Sequence, residues 1–66
     1  MDPLARLLEI LGLLQGSPVW TATALAERTG TTPRTVRRDI SRLRELGYRI
    51  AAAPGPDGGY RLDRGR

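Results

Sequence analysis

The sequence predicts an α+β fold, three short helices followed by a β-hairpin, and three observations carry that prediction. Apolar residues recur at helical spacing as far as Leu46, and helix-capping residues punctuate this stretch at Asp2-Pro3, Thr21, Thr32-Pro33 and Gly47. From Tyr48 the period changes to two: Tyr48, Ile50 and Ala52 alternate with Arg49, Ala51 and Ala53. Between that run and a second one, Tyr60-Arg61-Leu62, stands PGPDGG at 54–59, a dense set of turn formers.

Each element has its own local reason. Pro3 suits the first position of a helix over 3–15, with Asp2 before it as a cap. Leu4, Leu7, Leu8, Leu11 and Leu14 make an amphipathic stripe, with Ile10 at its edge and Leu13 outside it on the side of Arg6. Gly16-Ser17-Pro18 is expected to end this helix. Val19-Trp20 reads as a short extended segment, and Trp20, the only tryptophan, is expected to close the core. Thr21 caps a second helix over 22–29 that turns Leu25 and Ala26 inward, and Gly30 is placed to stop it in a left-handed conformation. Thr32 caps again, Pro33 takes the first helical position, and the third helix is expected to run over 33–46 with Gly47 as its stop. Two helices joined by a short glycine-containing turn form a helix-turn-helix. A hairpin over about 48–63 makes the whole a winged helix-turn-helix in one domain of 66 residues. Val36, Ile40, Leu43 and Trp20 are expected to be buried against Leu7, Leu8, Leu11 and Leu25.

Composition removes most chemistry. The chain has no cysteine and no histidine, and all eleven of its basic residues are arginine. Disulfides, Cys/His zinc sites, thiol nucleophiles, histidine bases, Schiff-base lysines and a P-loop lysine are all excluded. No catalytic residue, cofactor or metal is expected. The apolar start does not fit a secretory signal, because Asp2 precedes the run and Arg6 and Glu9 interrupt it. A cytoplasmic location is expected.

Charge is unevenly placed. The formal net charge is +4, yet residues 1–32 hold two arginines against three acids while residues 33–66 hold nine against four. Such an excess in one half suits a face presented to a polyanion. On the third helix, Val36, Ile40, Leu43 and, less centrally, Leu46 share one side; Arg34, Arg38, Ser41 and Glu45 lie opposite, with Thr35, Arg37 and Arg42 on the flanks. Arg34, Arg38 and Arg42 follow one another at i, i+4, i+8, and each like-charged pair costs an isolated helix roughly 0.2–0.5 kcal/mol. An arginine row that weakens its own helix makes sense with an anion lying against it. Arginine forks a phosphate or pairs bidentately with guanine in the major groove, and Thr32, Thr35 and Ser41 add hydroxyls. Arg42 and Arg44 also fit a solvated face, with Arg42–Glu45 as a local ion pair, and Asp39 is read as a cap or as the orienter of a neighbouring arginine. On the hairpin the turn carries Asp57 and glycines but no base, so a wing contact falls to Arg61, to Arg49 or to backbone amides. Arg64 and Arg66 read as a solvated tail.

Residues 20–62 closely resemble the N-terminal winged helix-turn-helix of bacterial regulators that carry a downstream WYL domain, within the DeoR-like group. The matching stretches are LAERTG (25–30), TPRTVRRDI (32–40), LRELGY (43–48) and PGPDGGYRL (54–62), and TPRTVRRDI together with GGYRL is the specific part. The resemblance implies that Thr32, Arg34, Thr35, Arg37 and Arg38 belong to a recognition helix, that duplex DNA is the partner, and that the chain is part of a longer regulator. It departs at Thr29, where such sequences often carry leucine, which implies looser packing between the second and third helices. The same pattern is similar to the DNA-binding domain of the biotin repressor/ligase family, whose ligase site is not in these residues.

The DNA-binding candidates are thus Thr32, Arg34, Thr35, Arg37, Arg38, Ser41, Arg42 and Arg61. A protein-docking module would expose aromatics, and an RNA-binding winged helix would interleave them with the arginines; the third helix has none. The isolated domain is expected to be a monomer, and the intact regulator a dimer through a further C-terminal domain.

Overall fold

Five elements follow the expected order in the computed structural model, which describes residues 2–16, 19–53 and 58–63. The expected helix stop at Ser17-Pro18, the turn at 54–57 with Asp57, and Arg64 and Arg66 lie outside the described residues. Helix α1 spans Pro3–Gly16, α2 Ala22–Thr29 and α3 Pro33–Glu45; strands β1, Ile50–Ala53, and β2, Gly59–Leu62, complete the chain. The fold is a winged helix-turn-helix.

The local signals work where they are local. Thr21 Oγ1 accepts from the Ala24 amide at 3.0 Å, and Thr32 Oγ1 accepts from the Thr35 amide at 3.2 Å, so each hydroxyl satisfies an orphan donor of its helix. Gly30 and Gly47 close α2 and α3 at φ 70° and 106°, a region where a Cβ is strained. After α3 the Gly47 amide reaches the Arg44 carbonyl and the Tyr48 amide the Leu43 carbonyl, at 3.0 and 3.1 Å. This double bond pattern draws Tyr48 into the helix stop. The strand therefore starts at Ile50, not at Tyr48, and Leu46 becomes an exposed cap residue instead of part of the buried face.

β1 and β2 pair antiparallel with Ile50 opposite Leu62 and Ala52 opposite Tyr60. Trp20 adds a third, single-residue rung: it exchanges both backbone hydrogen bonds with Tyr60, at 2.9 and 2.6 Å. The Val19–Trp20 segment passes close to Gly59, the neighbour of Tyr60, where a Cβ would run into Val19 Cγ1 and stand 3.6 Å from the Trp20 carbonyl oxygen. The core is Ile10, Leu14, Leu25, Ala26, Val36, Ile40, Leu43 and Ile50, edged by Leu7, Leu13, Trp20, Tyr60 and Leu62. Trp20 is half-buried, closing the core from the side and not from within.

The face that α1 buries differs from the expected stripe. Ile10 is fully buried and Leu13 packs at the core edge, while Leu4 and Leu8 are 60% and 61% exposed and Leu11 is half-buried. Seven leucine and isoleucine residues, between Leu4 and Leu14, surround much of this helix, so counting them cannot fix its rotation. Two polar anchors fix it. The Arg6 guanidinium pairs with the Asp39 carboxylate on α3, and the Trp20 indole N–H donates to the Leu13 carbonyl at 2.8 Å. Both anchors need Arg6 and Leu13 turned inward, which carries Leu4 and Leu8 out.

Thr29 is buried on α2, and its hydroxyl donates to the Leu25 carbonyl one turn back at 2.7 Å. A polar side chain is thereby buried without an orphan donor.

Candidate nucleic-acid interface

One helix divides cleanly into two faces. Val36, Ile40 and Leu43 of α3 are buried, and Arg34, Arg37, Arg38, Ser41, Arg42 and Glu45 are exposed. The helix has no acidic residue in its first turn, so its amide end and Arg34 present positive charge there, with Arg37 and Arg38 following in the second turn. Thr32 is exposed but already employed: besides capping, its hydroxyl lies 3.2 Å from Thr35 Oγ1 and donates to it. Thr35 is half-buried behind it.

Beside this face lies a groove of about 1040 Å³. Thr35, Arg38, Ser41 and Arg42 form one wall, and Asp2, Pro3 and Leu4 at the start of α1 form the other. The arginine row therefore does not face open solvent along its whole length; it is bordered by Asp2 on one side and Glu45 at the end. Sequence reasoning had no access to that neighbourhood, because it is made by the α1–α3 crossing.

Three arginines outside the expected set are engaged within the protein. Arg6 Nη2 reaches Asp39 Oδ1 at 3.2 Å, and its Nε donates to Oδ2 of the same carboxylate. The hydrogen bond to Asp39 raises the Arg6 pKa above its ordinary value, against the opposing effect of burial. Asp39 does orient an arginine, as its place on the apolar stripe suggested, but the partner comes from 33 residues away and not from α3. Arg28 stands 5.5 Å from the centroid of the Trp20 ring, within cation–π range. Arg44 donates from Nε and Nη2 to the Ile50 carbonyl at 3.0 and 2.7 Å.

Arg61 is exposed on β2, opposite Ala51 and on the outer side of the hairpin from Tyr60 and Leu62. Arg49 is exposed just before β1. The hairpin thus carries basic side chains on its strands and approaches.

Residues 6–61 match the family model HTH_11, described as an HTH domain. The chain belongs to this HTH domain family. The match covers α1 from Arg6 onward, the helix-turn-helix and the hairpin as far as Arg61, and it supports DNA as the partner of the domain. No solved structure matches the chain. Among the described residues no helix of this HTH domain is long and apolar enough to cross a membrane.

Proposed function

We propose that the chain is the sequence-specific DNA-binding domain of a bacterial transcriptional regulator of the WYL-bearing, DeoR-like kind, acting in the cytoplasm and without enzymatic activity of its own. α3 enters the major groove, where Arg34, Arg37 and Arg38 in its first two turns reach base edges and phosphates. Thr32, Thr35, Ser41 and Arg42 serve the flanking backbone, and Arg61 carries the hairpin to a phosphate beside the groove. The observation that supports this reading best is the two-faced α3: one side is fully buried and the other is a row of exposed arginines.

The test is titration of the 66-residue domain with a duplex selected from a random pool, a scrambled duplex and a single strand, each over a range of salt. The selected duplex is expected to bind tightest, with log affinity falling linearly in log salt at about −0.9 per phosphate contacted. Equal affinity for all three would refute sequence-specific recognition.

A further inference from the structure

Arg44 sits where a fifth DNA-contacting arginine of α3 would be looked for, yet its guanidinium is turned to the protein's own backbone. The ladder register explains why. The Asp63 amide donates to the Arg49 carbonyl at 2.7 Å, which makes Arg49 and Asp63 a hydrogen-bonded pair. Bonded and non-bonded pairs alternate along an antiparallel ladder, so Ala51–Arg61 and Ala53–Gly59 bond, while Ile50, opposite Leu62, and Tyr60, opposite Ala52, turn their backbone groups away from the paired strand. On β2 the outward groups of Tyr60 are taken up by Trp20. On β1 the outward carbonyl of Ile50 faces the open sheet edge, and Arg44 takes it with two N–H groups, at 3.0 and 2.7 Å.

We propose that Arg44 is a positioning residue for DNA binding, fixing the pose of the hairpin relative to α3 through the Ile50 carbonyl. Ile50 is the hinge point of this arrangement: its side chain is buried in the core and its carbonyl is held from the last turn of α3. Trp20 holds β2 through the Tyr60 rung, and Tyr60 and Leu62 pack at the core edge. On the β1 side, the Gly47 turn and the Ile50 side chain are what remain to set the strand against α3 once the guanidinium is gone. A charge-assisted fork on one acceptor is short and directional, which a lysine ammonium does not reproduce. The proposal rests on the reading that Arg61 of the hairpin touches phosphate.

Arg44→Met, Arg44→Lys, Arg61→Ala and the Arg44→Met/Arg61→Ala double variant of the 66-residue domain test it, on the selected duplex and by NMR without DNA. In the free protein, Arg44→Met is expected to change the residual dipolar couplings of 50–53 and 59–62 while those of the three helices stay; Arg44→Lys should behave as Met does. On DNA, Arg44→Met and Arg61→Ala are expected to weaken binding by similar factors, and the double variant by no more than either. The salt slope of Arg44→Met should fall by the same amount as that of Arg61→Ala. Unchanged hairpin couplings in Arg44→Met would overturn the proposal. Multiplicative losses, with the slope reduced by a further 0.9 or so in the double variant, would also overturn it and make Arg44 a direct phosphate contact. Altered couplings together with an Arg61→Ala variant that binds like the parent would uphold Arg44 as the hairpin's anchor and refute the wing contact instead.

Discussion

Asp39 shows how much a single residue decides in so small a domain. Its carboxylate is buried on α3 and holds the Arg6 guanidinium of α1, which retains only 18% exposure. Removing one partner of a fully buried pair costs about 3–5 kcal/mol and breaking an exposed one about 0–1; Arg6 is part-buried beside an open groove and can turn its charge to water, so the cost falls between the two. Asp39→Ala is therefore expected to lower the urea midpoint by the equivalent of about 2 kcal/mol, a sizeable share of the roughly 5–15 kcal/mol that holds a domain folded. Arg6→Met combined with Asp39→Leu should restore much of it, since two apolar groups leave no charge stranded. A second division of labour separates the DNA-facing arginines. Arg38→Ala is expected to cost about 1–3 kcal/mol of affinity and to relax preference at one base pair, whereas Arg61→Ala should weaken all duplexes alike. Competition binding against single-substituted duplexes reads both; the reverse pattern would exchange the two roles.

At the scale of elements, the helix-turn-helix was legible because its signals are short-range. Thr21, Gly30, Thr32, Pro33 and Gly47 each act within a turn of where they stand, and the apolar row Val36, Ile40, Leu43 is unambiguous because most of the rest of α3 is charged or polar. The hairpin was legible from its period of two, although the helix stop takes Tyr48 from it. The rotation of α1 was not, because that helix is apolar around much of its surface and its two anchors, Asp39 and Trp20, are distant in sequence. The arginine face of the candidate site could be read in the same way from α3 alone. The inward-turned Arg44 and the groove beside α1 could not, since they depend on the sheet edge and on a helix crossing. The rotation is open to a direct check. Leu8→Gln is expected to change stability by less than about 0.5 kcal/mol, as at other exposed sites, and Ile10→Ala to cost about 2–5 kcal/mol. Thermal melts with the opposite order would restore the stripe of Leu4, Leu7, Leu8, Leu11 and Leu14.

At the scale of the whole molecule, the described residues offer little for a partner protein to hold. Leu4 and Leu8 are exposed in line on α1, with Leu46 exposed at the far end of α3 and Leu13 packed inward. Val19 and Tyr48 are exposed as well, but stable dimers bury at least about 1,200 Å² in total, well beyond what these few side chains present. Light scattering at micromolar concentration is accordingly expected to give the mass of one copy, and a stable dimer without DNA would point to the Leu4–Leu8 side of α1. What the fold does present broadly is positive charge, and the central claim is that the outer side of α3 is where DNA lies. Amide and arginine Nε chemical shifts followed during titration with the selected duplex test this most directly. The largest shifts are expected at Arg34, Arg37, Arg38 and Ser41, smaller ones at Arg61, and none at Leu4 and Leu8. Shifts centred on the exposed side of α1, with Arg34 and Arg38 unmoved, would contradict that claim.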